Sequence, residues 1–353
     1  MPRAKAPAKP RPLIAREGAR FRCFGDGLCC TDIHVLGLLT KSEVRDLRQR
    51  RKLSVFYSDD IGGDALLTSG GRCVFLQADD LCHIHAVDGP DAKPVGCRRF
   101  PYGLISTPHG GRVTTEHRCP CRTLGERPQL SLANAEASLR DRAGRLEVDF
   151  DVAGRIELQH KQRVSFDAYV AIESAMIARL NGGERAEKVL AARPLPRLDE
   201  TGWPRVAVEH IETRDGSAGG EAYTWFGDAL LHLSAGHAPP IRKRPWHAAY
   251  ERAMARSKTE LTPDQIYNDW IADEIWMFRW YVWGPFDVAR AELATRLAIA
   301  RLIQGWIENA GVKPMQAAAE AVMICELIAG GNEWPEAVGS IAFDPTPADP
   351  IGA

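Results

Sequence analysis

The sequence contains no run of about 18 apolar residues, so it offers no stretch that could cross a membrane as a helix. It has no excess of either charge. Lys and Arg total 45 against 46 Asp and Glu, a net of −1, which argues against a chain whose main task is to coat nucleic acid or an anionic membrane. The first dozen residues are basic and proline-rich and lack an apolar core, so they do not read as a secretory signal, and their prolines would break the amphipathic helix of a transit peptide. They read as a disordered tail over residues 1–19, and the compartment as cytoplasmic and reducing, where thiols serve metals or catalysis more often than disulfides. Also missing are a G-x-G-x-x-G turn, a phosphate-binding P-loop and a G-x-S-x-G nucleophile elbow. The C-x3-C-x2-C pattern of radical enzymes is absent, as are the paired C-x2-C knuckles of many structural zinc sites. No internal repeat is visible.

What the sequence does have is cysteine, distributed unevenly. Eight of its nine cysteines fall between Cys23 and Cys121, and only Cys325 lies outside. The eight are Cys23, Cys29, Cys30, Cys73, Cys82, Cys97, Cys119 and Cys121, separated by 5, 0, 42, 8, 14, 21 and 1 residues. Residues 20–125 are rich in Gly, Pro and Arg and hold only short apolar runs, at 35–39 and 74–76. Such a segment has little core of its own and needs a staple, which a metal supplies. Zinc takes four donors and a [4Fe–4S] cluster one thiolate per iron, so eight cysteines provide two sets, or one set plus a site completed otherwise. Ligands scattered over several segments suit a larger centre, which favours iron–sulfur over zinc. Gly25, Gly27 and Gly96 allow tight turns beside the ligands, and Arg98 and Arg99 suit an anionic centre. Cys29 and Cys30 are adjacent, so in extended backbone they point apart, to different centres or with one left as a reactive thiol. His83, His85 and His117 are possible substitutes for a thiolate. Cys325, in an apolar helical run, belongs to core packing.

Beyond residue 125 the signal is helical. A helix is also expected at 41–51, capped by Thr40 or Ser42. Over 131–180 a helix, a strand-like stretch and a second helix end at Asn181-Gly182-Gly183. Residues 192–222 read as an irregular connection with some structure of its own. From 244 to 330 three apolar faces recur, carrying Ile266, Trp270, Met277 and Trp280, then Phe286, Leu293, Leu297, Ala300 and Ile307, then Val322, Cys325 and Ala329. Residues 112–117 suggest an edge strand, and Arg242-Lys243-Arg244 a solvated basic run. The expected fold is α-rich α+β: an irregular, metal-stapled cysteine region at 20–125 packed on a mainly helical domain at 126–340, with a flexible tail at 341–353.

Four motifs together, Cys23 with Cys29-Cys30, Cys73-Val74-Phe75-Leu76, Cys82-His83-Ile84-His85, and Lys93-Pro94 through Cys97-Arg98-Arg99-Phe100-Pro101, resemble the signature of the YkgJ-type cysteine-cluster family, described as a zinc- or iron-chelating domain. His85 stands where tyrosine is usual and Lys93 where arginine is usual, and the link at 86–92 is slightly longer. No cysteine is lost. The same family includes flagellin lysine N-methylases with a helical C-terminal part, which residues 267–276 and the helix at 286–309 resemble. That likeness implies S-adenosylmethionine as a cofactor and a protein substrate, with Trp270, Trp276, Trp280, Tyr281 and Trp283 as candidate pocket walls; it names no general base. The competing readings are a non-catalytic metal or electron carrier or partner-binding module, and a redox protein using a thiol such as Cys30. Nothing points to a nucleic-acid partner, and the oligomeric state is open.

Overall fold

The computed structural model describes residues 12–34, 38–58, 62–125, 127–141, 143–194, 203–212, 215–237, 242–282, 284–331 and 333–342. The expectations for residues 1–11, 35–37, Trp283 and 343–353 lie outside these.

The cysteine-rich half is built from short elements: β1 (Leu13–Ala15), α1 (Lys41–Arg50), β2 (Val55–Ser58), β3 (Gly63–Leu66), β4 (Thr68–Ser69), β5 (Arg72–Cys73), α2 (His83–Asp88), α3 (Val95–Arg99), β6 (Tyr102–Thr107), β7 (Gly110–Thr115), α4 (Pro120–Thr123), α5 (Leu132–Leu139) and β8 (Phe150–Asp151). Four of the strands form one sheet in the order β1-β7-β6-β8. The β6–β7 hairpin is antiparallel, with Leu104 opposite Val113, and β1 and β8 add in parallel on its two sides. α1 starts where Thr40 caps it, in a capping box closed by Glu43. Thr40→Ala is expected to cost about 1 kcal/mol, read as a lowered midpoint in urea unfolding.

The remainder comprises the hairpin β9 (Arg155–Gln159) and β10 (Gln162–Ser165), then helices α6 (Phe166–Asn181), α7 (Ala186–Leu190), α8 (Trp203–Glu212), α9 (Ala218–Ala235), α10 (His247–Arg256), α11 (Pro263–Trp276), α12 (Phe286–Asn309), α13 (Pro314–Ala329) and α14 (Glu333–Ala342). The α-rich α+β expectation therefore holds. Ile266, Trp270, Met277 and Trp280 are buried, as are Phe286, Leu293, Leu297, Ala300 and Ile307, in one large apolar core that also takes Val322 and Cys325.

Several expectations are corrected. Residues 12–19 are not tail: β1 pairs with β7, and Arg16 is buried against α11. The irregular connection at 192–222 contains α8 and the start of α9, because Trp203, Val206 and Ala207 bury into the main core despite the flanking prolines and glycines. The 112–117 strand is internal, lying between β1 and β6. A boundary at 125 divides one unit, since α5 and β8 both pack on the sheet. Arg242 and Arg244 turn inward to Asp228 (2.7 Å) and Glu320 (2.9 Å), so that basic run is largely neutralised.

The two halves are joined by buried charge. Asp273 on α11 accepts from Arg16 Nε (2.6 Å), from His117 Nε2 (2.9 Å) and from Arg122, and Asp269 one turn earlier also meets both arginines. Burial and Arg122 both lower the His117 pKa, so the ring is neutral and its Nε2–H donates to Asp273. Arg112 on β7 forms a two-pronged pair with Glu173 on α6 (2.6 and 2.8 Å) and stacks 3.9 Å over the ring of Trp276. Trp276 in turn donates to the Val113 carbonyl (3.1 Å).

Candidate metal centre

The cysteine-rich half has two apolar clusters of its own, the larger one beside the four-stranded sheet with Phe21, Leu104, Val113, Leu130 and Leu139. Its outer part, around α1 and α2, is held by a cluster of only three fully buried apolar residues, Leu47, Phe75 and Ile84, with Cys73 and Cys82 packed against it. All nine cysteines are free thiols. Of the eight in the first third, Cys119 and Cys121 converge with Asp26, and Cys29 and Cys30 hold their sulfurs 4.0 Å apart.

The inner group gathers Cys23, Cys119, Cys121 and Asp26. One ligand atom each from Asp26, Cys119 and Cys121 lies within 4.8 Å of the other two, and all three residues are buried. Cys121 donates to Asp26 Oδ2 at 2.5 Å, while Leu28 N–H donates to the other carboxylate oxygen at 3.1 Å. Cys119 caps α4 and Cys121 lies in its first turn, with Pro120 between them at a position where a helix needs no N–H. Cys23 arrives from the segment after β1. Gly25 and Gly27 both take positive φ (+67° and +79°), and that double turn folds Asp26 back toward the thiols. Backbone amides already point at sulfur: Phe24 N–H to Cys121 (3.1 Å) and Gly25 N–H to Cys23 (3.4 Å). Such donors stabilise thiolate around a metal.

The other five, Cys29, Cys30, Cys73, Cys82 and Cys97, feel one another's charge, but among the described residues no three of them bring their sulfurs within 4.8 Å of one another. Cys29 and Cys30 share a short 3-10 turn that leaves their sulfurs 4.0 Å apart. The thiols of Cys73 and Cys82 are close enough to interact, as are those of Cys97 with Cys73, Cys82 and Cys29. Lys93 sits among them: burial acts to lower its pKa, but Cys29, Cys97, Cys30 and Cys82 together raise it. The charge of Cys29 is also felt by Cys119, and Cys29 itself feels Cys23 and Asp26.

Crowding shows in the acidities. Burial pushes the Cys97 thiol up to about 12 against the opposing pull of Lys93. A hydrogen bond with Cys121 favours the Cys119 thiolate, yet burial, Asp26 and Cys23 carry it up to about 11. Cys23 is raised by its hydrogen bond with Cys121 and by burial, and Cys121 by its hydrogen bond with Cys119. Buried thiols and a carboxylate packed this closely repel as anions, and a bound cation is what would offset that repulsion.

Other candidates fall elsewhere. Arg98 donates to the Arg140 carbonyl and Arg99 to Asp149 (2.6 Å), away from the sulfurs, so Lys93 takes the role expected of them. The ring nitrogen of exposed His83 lies 3.4 Å from Gln77, and His85 is exposed. His117 is committed to Asp273, and Cys325 is buried with its sulfur 3.7 Å from the Arg296 carbonyl. Sequence reasoning missed Asp26, although it is the one carboxylate between Cys23 and Cys29 and is framed by two glycines. Of the aromatic pocket candidates, Trp270 and Trp280 are core, while Trp276 and Tyr281 (hydroxyl 3.1 Å from Ala153 N) bond the halves together. The cavity beside Trp280 measures about 20 Å³, room for roughly one water.

Among the described residues no helix is long and apolar enough to cross a membrane. Compared with known protein families, with curated proteins and with solved structures, the chain matches none. The likeness to the cysteine-cluster family rests on the motifs alone.

Proposed function

We propose that this chain is a metal-binding protein of the cysteine-cluster kind with two adjoining thiolate centres. The observation that carries the reading is the buried convergence of Asp26, Cys119 and Cys121 within 4.8 Å. Four donors about 2.3 Å from a tetrahedral ion stand about 3.8 Å from one another, so this spacing suits a single ion; Cys23, outside the 4.8 Å set but hydrogen-bonded to Cys121, is the candidate fourth ligand. Three thiolates and a carboxylate are a donor set that zinc accepts. The outer group offers five thiols, from Cys29, Cys30, Cys73, Cys82 and Cys97, with the Lys93 cation beside them. It is the place for an iron–sulfur cluster, whose net negative charge Lys93 would balance. Metal here supplies folding energy to a region whose outer part rests on a cluster of only Leu47, Phe75 and Ile84. Methyl transfer is not part of this reading, because Trp270 and Trp280 are spent on the core and Trp276 and Tyr281 on bonds between the two halves.

Anaerobic purification with metal and sulfide analysis and a visible spectrum tests the proposal. Expected are near-stoichiometric zinc, together with iron and sulfide giving a brown colour that dithionite bleaches. Zinc alone in a colourless protein would remove the cluster and leave the inner ion, whereas protein free of both metals would remove the proposal.

A further inference from the structure

We propose that the groove beside Cys23 docks an acidic segment of a partner protein. Residues 20–24, Arg127 and the end of α10 enclose a groove of about 510 Å³ that is lined by Arg20, Arg22, Arg127, Arg256 and Lys258, with Phe24 at its apolar centre. Among the described residues lining it there is no carboxylate. In a chain of net charge −1 this is a local segregation of positive charge, and such a cleft focuses the field toward an anionic partner.

The groove is built firmly. Gly125 has φ +67°, and a Cβ there would stand 1.7 Å from Ser257 Oγ, so the chain before Arg127 packs directly on the Ser257 side chain at the end of α10. Arg127 Nε donates to the Cys121 carbonyl (2.9 Å) while its guanidinium lies 4.2 Å over the Phe24 ring. Arg256 donates to the carbonyls of Phe24 and Gly25 (2.7 Å to the latter), and Arg20 to that of Arg127 (3.0 Å).

These bonds decide what kind of anion fits. The directional N–H donors near the floor are used on backbone carbonyls, so the groove presents spread positive charge rather than a fork for one phosphate. Arg22, Arg256 and Lys258 are exposed at its mouth and offer several cations to a run of side-chain carboxylates. A nucleic-acid backbone would need a basic track extending beyond one groove. Cys23 lies between Arg22 and Phe24 and is the one exposed thiol of the eight, so a docked segment covers the point where the inner group meets solvent. That last consequence rests on the metal-centre reading; the docking does not.

The test is fluorescence anisotropy on the full-length protein as purified, with a labelled peptide of about a dozen alternating Asp and Glu residues. An oligothymidylate and inorganic pyrophosphate serve as rival ligands. Expected is salt-sensitive peptide binding that Arg22→Glu with Lys258→Glu weakens about tenfold or more, since like charges are placed against the ligand. Arg155→Glu, at an exposed site on the β9–β10 hairpin, should leave it unchanged. No peptide binding, equal loss in both variants, or tighter binding of the oligonucleotide or pyrophosphate overturns the proposal. Metal content is read on the same samples: groove-dependent binding by a protein without metal would keep the docking and reject the metal centre.

Discussion

Replacing Cys121 by serine is expected to remove the inner metal and unfold much of the cysteine-rich half. Cys121 is the hub of the inner group, with the Phe24 amide and the Asp26 carboxylate both on its sulfur. It also begins α4, whose next residue, Arg122, reaches Asp269 and Asp273 across the junction between the two halves. Binding energy at such a site is folding energy, on the order of 10 kcal/mol for structural zinc in small peptides. The variant should lose about one equivalent of metal and most of its soluble yield, measured by elemental analysis of whatever remains folded. Asp26→Asn separates ligand from bystander: a carboxylate that only accepts hydrogen bonds can be replaced by an amide with metal retained, while one that neutralises an ion cannot. Cys325→Ser is the control and should keep full metal content, its sulfur being buried among apolar side chains of α12 and α13. Loss of metal in the Cys325 variant, or full metal in the Cys121 variant, would contradict the assignment. Single serine variants of Cys29 and Cys30, read the same way, report which of the adjacent pair belongs to which group.

Asp273→Asn is expected to destabilise the protein by about 3–5 kcal/mol at neutral pH, because it leaves two buried guanidiniums short of their countercharge. Burial by itself would raise the Asp273 carboxyl, but Arg122 and Arg16 outweigh it and hold the group well below the usual carboxylate range. The sign of the pH dependence follows. A depressed folded-state pKa contributes stability that is complete above the unfolded value, about 3.9, and is lost as pH falls toward the folded value. Urea unfolding at pH 7 and at pH 3 should therefore show a larger gap between wild type and variant at pH 7. A gap that stayed constant or grew on acidification would mean that the charge of Asp273 does not carry the effect. Arg122→Ala should be comparably costly at neutral pH, since it leaves Asp269 and Asp273 to share Arg16.

How much of this was readable beforehand differs from element to element. α1 was legible because Thr40 and Glu43 form a local capping pair, and α6 because Asn181-Gly182-Gly183 stops it; both signals act within one turn of helix. The faces of α11, α12 and α13 were legible because the periodicity of a helix marks its buried side regardless of what covers it. β1 was hidden by its setting. Three residues beside a proline-rich run carry no strand signal, and they are ordered by a parallel pairing to β7, nearly a hundred residues away in sequence. α8 was masked in the same way, its apolar residues finding their partners only in the assembled core.

For the site, the sequence alone determined the chemistry: which residue types are present, that eight thiols are concentrated in one third of the chain, and that this third cannot bury enough apolar surface to order itself easily. Composition suffices for that, because sulfur content and apolar content are properties of the chain and not of its path. The tertiary structure decided the convergence of Cys119 and Cys121 on Asp26, and that the charge felt beside the outer thiols is Lys93 and not Arg98 or Arg99. It also decided that Trp270 and Trp280 are packing. Each of these depends on distances between residues far apart in sequence, and only the closed chain, held by Asp273 and its buried partners, sets those distances.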